Sequence, residues 1–405
     1  MPIVIVVLAA TVYNAVLAVL NAHVSGLGFT AVAATEMLIL LAALVLILNN
    51  GLFEKDIVPF SLLIVTLVFA VYVSVISRGA VIDYLRNILI IFCFVTLGTL
   101  ITLRGIRFIF LTACGLVFVC LLLEIYSVDM YGDLFFPGLY FENTRGLERK
   151  EYFDTKLFHN ALGFEGRFTF GLIGHRSSSL FLEQVSLANF AGVMMIALLT
   201  LWKRFSSFQR VFCIVTISLI LLTNDSRTML IFGAICFLGY FAFPYFPKVI
   251  NLLYLPVILF AGFLVYIIKP DASGDNIPGR VVLTMNHLLD LDLTDILGFA
   301  ARSAGAFADS GYVYVIVIGT VFSLVLLWLF VSLYPACDTP EQRRFSHAFS
   351  IFMFMNMMIG GTAVFSIKIA GLLWLLTGFM KLLPTSERVS AGSESNVHAQ
   401  QLKET

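Results

Sequence analysis

Between Pro2 and Leu383 the chain repeats one pattern: an apolar run close to twenty residues long, closed by a short polar break. A helix of that length crosses the roughly 30 Å hydrocarbon core of a bilayer, and in hydrocarbon only a helix satisfies all its backbone N–H and C=O groups within one segment. The pattern therefore predicts an all-α, polytopic integral membrane protein with about twelve transmembrane helices. They are expected near 3–21, 29–48, 58–77, 87–103, 108–126, 178–201, 207–223, 228–247, 249–268, 309–334, 346–364 and 366–383. With 60% of residues hydrophobic and 12% charged, a soluble core is excluded.

Residues 1–383 are expected to form a single membrane domain, and the polar, small residues of 384–405 a disordered tail. The first run starts at Pro2 with no basic segment before it and no A-x-A cleavage pattern, so it reads as a retained helix rather than a signal peptide. Six cysteines fall in apolar runs or a short loop, without a C-x-x-C pair. They imply neither a disulfide framework nor a zinc site. A net charge of zero points to no nucleic-acid partner.

Two connections are long, 127–177 and 269–308, and they hold much of the polar chemistry. Orientation follows from Lys and Arg in the short connections. One side carries Lys55, Arg104, Arg107, Lys203, Arg204, Arg210, Lys248, Arg343, Arg344, Lys381, Arg388 and Lys403; the other has only Arg78, Arg86, Arg227 and Lys368. Both termini are thus expected in the cytoplasm, and both long loops outside it.

Three polar clusters then share the outer face. The first is His175-Arg176-Ser177-Ser178-Ser179 with Glu183; at 100° per residue Ser179, Glu183 and Ser186 would form one stripe on a helix. The second is the turn Thr223-Asn224-Asp225-Ser226-Arg227. The third comprises Arg280, Asn286, His287 and Arg302, followed by Asp309-Ser310-Gly311-Tyr312. Each has a plain alternative: arginines snorkel to headgroups, Asn-Asp-Ser is ordinary turn chemistry with Asp225 pairing Arg227, and an interfacial histidine such as His287 needs no role. Glu183 resists that treatment, because an ionisable group within an apolar span is costly and usually faces a cavity or a partner. Glu36 and Lys368 raise the same question more weakly. Asp290-x-Asp292 in LLDLDLTD resembles a metal-binding pattern, but alternating Leu and Asp also describes a short amphipathic element at an interface, so no metal or cofactor is expected.

Several arginines, a buried glutamate and hydroxyls at an outer membrane face suit a lipid-linked diphosphate. The guanidinium fork matches phosphate oxygens bidentately and keeps its charge. If the diphosphate leaves during glycosyl transfer, arginines stabilise the charge developing on it while a carboxylate or imidazole takes the proton of the attacking hydroxyl. Arg176, Arg227 and Arg280 are the candidate clamp, with Glu183, His287 or Asp309 as the candidate base. Arg302, His175, Ser179 and Tyr312 complete the polar lining.

HRSSSLFLEQVSLANFAG (175–192) resembles the Arg-x-x-Ser-x-Phe-x-Glu segment of the O-antigen polymerase (Wzy-type) and O-antigen ligase superfamily. LLTNDSRTMLIFG (221–233) resembles its Ser-Arg hairpin, and ADSGYVYVIVIGT (308–320) the Asp-Ser-Gly-Tyr motif of the polymerase branch. Arg176 and Gly192 also match the Arg, fifteen residues, Gly spacing. The likeness covers about 160–330. Two features depart from the pattern: Gln184 stands where proline is usual, and the first glycine after Arg280 at about that spacing is Gly298. The ligase branch more typically has a His-Asn motif in place of Asp309-Ser310-Gly311. The resemblance implies a polymerase in a bacterial inner (plasma) membrane, moving a growing glycan from undecaprenyl diphosphate onto a lipid-linked repeat unit, without cofactor or metal. Glu183 would orient the arginines or accept a proton, and Asp309 and Tyr312 would position the acceptor. Expected partners are the undecaprenyl-diphosphate-linked oligosaccharide, the lipid bilayer, a chain-length regulator and export machinery. The alternatives are an O-antigen ligase using lipid A core, and a flippase or transporter in which Glu36, Glu183 and Lys368 serve a transport path. A lipid-donor glycosyltransferase with an acidic first outer loop is a further rival, disfavoured because NAHVSGL (21–27) carries no carboxylate.

Overall fold

Apolar runs without a stable polar face fold here as helices packed on helices. The computed structural model describes residues 1–50, 56–147, 156–161 and 172–383; the expected tail at 384–405 lies outside the described residues. Among the described residues there is no strand. The long helices are α1 (Pro2–His23), α2 (Phe29–Asn49), α3 (Val58–Ile76), α4 (Ile82–Leu100) and α5 (Leu103–Tyr126). Short α6 (Val128–Phe135) and α7 (Pro137–Arg145) follow, then α8 (Gln184–Leu201), α9 (Ser207–Asn224), α10 (Arg227–Ala242) and α11 (Asn251–Ile268). The second long connection folds into α12 (Ile277–Leu289) and α13 (Leu293–Ile296). The chain ends in α14 (Gly311–Gly319), α15 (Val321–Leu333), α16 (Pro340–Ile359) and α17 (Ile367–Lys381). Among the described residues nine helices are long and apolar enough to cross a membrane, which marks a multi-pass membrane protein.

The centre of the bundle is α4, α8, α16 and α17. In α17 every residue from Ile367 to Met380 is buried, so beyond Lys368 this helix is almost wholly apolar because it meets protein all round. It touches α4 backbone to backbone: a Cβ on Gly98 would meet the Leu375 carbonyl, and one on Gly378 would meet the Val95 carbonyl. Close approach of small residues is how apolar helices associate where the hydrophobic effect between helices is weak. Around this centre, α11 turns Leu253, Val257, Phe260 and Leu264 outward, a lipid-like exposure.

Two expected spans differ in kind. The span expected at 309–334 is two helices, broken at Thr320 (φ 99°) where the chain bends past Tyr84; the Tyr84 and Ser323 hydroxyls lie 2.6 Å apart. The span expected from Ser178 begins only at Gln184, after a 3-10 turn over Ser179–Phe181 and a left-handed Leu182. The helical stripe of Ser179, Glu183 and Ser186 therefore does not form: Ser179 faces α5, while Glu183 stands at the N-cap position of α8 and accepts from the Ser186 hydroxyl at 2.8 Å. Asp290 and Asp292 flank the break between α12 and α13, where Asp292 caps α13 by accepting from Asp295 N–H (2.9 Å) and the Thr294 hydroxyl (2.6 Å).

Candidate functional site: an arginine-lined cavity

The first two polar clusters are built as one unit. Ser177 N–H donates to the Thr223 carbonyl (3.1 Å), the Ser177 and Thr223 hydroxyls meet at 2.7 Å, and the Asn224 amide donates to the carbonyls of Ser177 (2.6 Å) and Gln184 (2.9 Å). Arg176 is tied to the same turn, its Nε donating to the Asn224 carbonyl at 3.0 Å. From the other side Glu124, wholly buried in the last turn of α5, accepts from the N–H groups of Ser178 (3.0 Å) and Ser179 (2.7 Å). Its Oε1 lies 3.3 Å from His175 Nε2. Thus Asn224 and Glu124 grip the segment from both flanks, and Arg176 projects from it.

Arg176 opens onto a cavity of about 670 Å³, large enough for a drug-sized ligand. Arg86, Arg145, Arg227 and Arg280 line it too, with Glu183, Asp225, Asp275 and Asp309, and the amides Asn87, Gln184, Asn189 and Asn356. A smaller cavity of about 370 Å³ adjoins it and shares Asp275, Arg280 and Asp309. Every one of these residues comes from the same end of the bundle, near the α3–α4, α5–α8, α9–α10, α11–α14 and α16–α17 connections.

The charges are arranged in pairs. Arg280 contacts Asp275 (3.0 Å) and Asp309 (3.1 Å); Asp275 lies 4.0 Å from Arg176. Burial works against the charge of Arg280, but Asp309 and Asp275 outweigh it and hold the guanidinium above its ordinary pKa. Arg227 is 3.8 Å from Asp225, and Arg86 is 2.6 Å from Glu36, which also accepts from the Tyr13 hydroxyl. Glu183 has two cations, Lys368 at 2.9 Å and Arg145 at 3.2 Å. Glu183 stands just outside the α8 span. Burial pushes its carboxyl up, yet Lys368 and Arg145 prevail and hold it well below the usual carboxylate range. A carboxylate so held is a poor proton acceptor and a good anchor.

Of the residues expected from the sequence, Arg176, Arg227, Arg280, Glu183 and Asp309 meet in this cavity. Five others do not reach it. Tyr312 is buried, its hydroxyl donating to the Phe354 carbonyl at 2.7 Å. His175 and Ser179 belong to the Glu124 grip, the Ser179 hydroxyl donating to the Val117 carbonyl at 2.7 Å. The His287 ring packs edge-on against Phe307, and Arg302 lies over Gly79 in the α3–α4 turn. Gly192, at the expected spacing from Arg176, has a packing reason: a Cβ there would strike Phe352 and Met229.

Sequence reasoning missed Arg145, Asp275 and Glu124, and gave Arg86 only as an orientation marker. A carboxylate in the last turn of an apolar helix, where the helix dipole disfavours it, was the signal for Glu124. The third motif also depends on a turn, marked by Gly360-Gly361, that the expected span 346–364 runs across: Thr362 N–H donates to the Ala308 carbonyl at 3.0 Å, with Gly361 left-handed (φ 63°) beneath Ala308 and Asp309. No protein-family model matches the chain, and no curated protein or solved structure matches it either.

Proposed function

We propose that the protein is a Wzy-type polysaccharide polymerase of a bacterial inner membrane. It transfers a growing glycan from undecaprenyl diphosphate onto a lipid-linked repeat unit. In this reading the chain crosses twelve times, with α14 and α15 forming one broken pass and α16 and α17 the last two. Both termini lie in the cytoplasm, and the long loops and the cavity face outward. The observation that carries the reading is the meeting of five arginines, from four interhelical connections, in one cavity at one end of an apolar bundle. In this reading that end of the bundle sits at the depth at which a bilayer presents a lipid diphosphate headgroup.

Arg176, Arg227 and Arg280 take the diphosphate oxygens. As the acceptor hydroxyl oxygen bonds to the anomeric carbon, the bond from that carbon to the phosphate oxygen breaks, and the arginines stabilise the departing undecaprenyl diphosphate. Asp309, with 72% of its side chain exposed and Arg280 at 3.1 Å, receives the hydroxyl proton. Glu183 anchors the floor. A chain-length regulator and export machinery are the partners such a reaction implies.

Lipid-linked glycans from a strain lacking the gene test this. Single repeat units accumulating on lipid at the outer face are expected. Full-length polymer on the carrier would indicate a ligase, and repeat units retained at the inner face a flippase; either result contradicts the polymerase reading.

A further inference from the structure

Each of the five arginines lining the cavity lies within 4.0 Å of a carboxylate, so an arginine that takes a diphosphate there exchanges a carboxylate contact for it. An exchange at Arg86 leaves a buried charge behind. If Arg86 left Glu36, a carboxylate only 8% exposed would keep no ion-pair partner among the described residues. Removing one partner of a buried pair is strongly destabilising because the other charge stays desolvated.

Glu183 is different. Lys368, with 2% of its side chain exposed, is fixed on α17 and keeps its contact at 2.9 Å whatever Arg145 does. Arg145 has 43% of its side chain exposed and rests with its guanidinium 4.5 Å from the Phe141 ring centre. Its helix is pinned to α1, with Asn143 donating to Asn21 (3.0 Å) and the Tyr140 hydroxyl donating to Asn14 (2.9 Å). Only the long side chain has to turn.

We propose that Arg145 is a fourth anion-binding arm of the cavity, parked on Glu183 when no anion is present and transferred to the diphosphate when one arrives. The first long loop thereby contributes a second arginine beside Arg176. Glu183 and Lys368 remain together as a neutral floor, so the exchange leaves no unpaired buried charge. This rests on the lipid-diphosphate reading above.

The test uses the purified full chain in lipid nanodiscs with undecaprenyl diphosphate as probe, read by binding affinity and by melting temperature without the lipid. Wild type should bind. Arg145→Gln should melt like wild type, because Lys368 still neutralises Glu183, yet bind about tenfold more weakly for one lost charge-assisted contact. Unchanged affinity in Arg145→Gln, or a lowered melting temperature with unchanged affinity, overturns the proposal and makes Arg145 a structural partner of Glu183. If Arg145→Gln is not recovered folded, Arg145→Lys decides: wild-type melting with weaker binding supports the arm, and wild-type values of both overturn it. No binding by wild type itself refutes the lipid-diphosphate reading, and the role of Arg145 falls with it.

Discussion

Glu183 closes the N-terminus of α8 and the floor of the cavity at once, and its ion pair with Lys368 joins α8 to α17. Glu183→Gln would leave the Lys368 ammonium buried without a counter-charge, a loss of about 3–5 kcal/mol. Lys368→Met removes a cation that Arg145 can partly replace, so it should cost less. The double variant Glu183→Gln/Lys368→Met should regain most of the stability lost in Glu183→Gln, measured by thermal melting in one detergent. Losses that simply add would show that the two side chains act independently. The cycle also separates function from folding, since reduced activity in Glu183→Gln alone could come from either. Glu183 was legible because a carboxylate in an apolar run stands out. Lys368 drew the same question more weakly, but its pairing with Glu183 was not legible, because the two lie 185 residues apart and no local pattern joins them. His175 and Ser179 misled for the opposite reason: polar residues beside a functional arginine looked like ligand contacts but are the means by which Glu124 holds that arginine's backbone.

Helix positions were readable because apolar length and turn residues fix them locally. Breaks depended on contacts between helices and were not readable. Thr320 bends the chain where Tyr84 of α4 meets Ser323, and the 3-10 turn before α8 follows from hydrogen bonds to Glu124 of α5 and from Asn224 of α9. The α4–α17 crossing is equally nonlocal, yet it sets the spacing of the core and leads to a contrast between two glycines. Gly98→Leu must push α4 off the α17 backbone and should cost at least about 1–3 kcal/mol by overpacking. Gly115→Leu, on α5 where a Cβ would meet nothing within 4 Å, should be nearly silent. Melting temperatures of the two variants check this, and equal temperatures would mean that the crossing is not a close-packed contact.

Across the whole molecule, the chain has 25 basic and 25 acidic residues, and the structure gathers five arginines and four carboxylates around one cavity at one end of an apolar bundle. Arginines from distant segments, each set against a carboxylate, form a cavity suited to exchanging those carboxylates for an anion. Such a site supplies its own positive charge, so glycosyl transfer there should proceed in excess chelator. Arg176 is its most constrained arginine, gripped through Asn224 and through the Glu124-bound segment. A headgroup anchor needs only a cation on a long stem, whereas a diphosphate clamp needs the guanidinium fork. The most direct test is elongation of purified lipid-linked repeat units by the reconstituted protein in chelator, comparing wild type with Arg176→Lys at equal folded protein. Wild type should build polymer, and Arg176→Lys should be slower by about a hundredfold, the effect of losing on the order of 3 kcal/mol of transition-state stabilisation. Wild-type rates in Arg176→Lys, or no elongation by wild type until a divalent metal is added, would contradict the account.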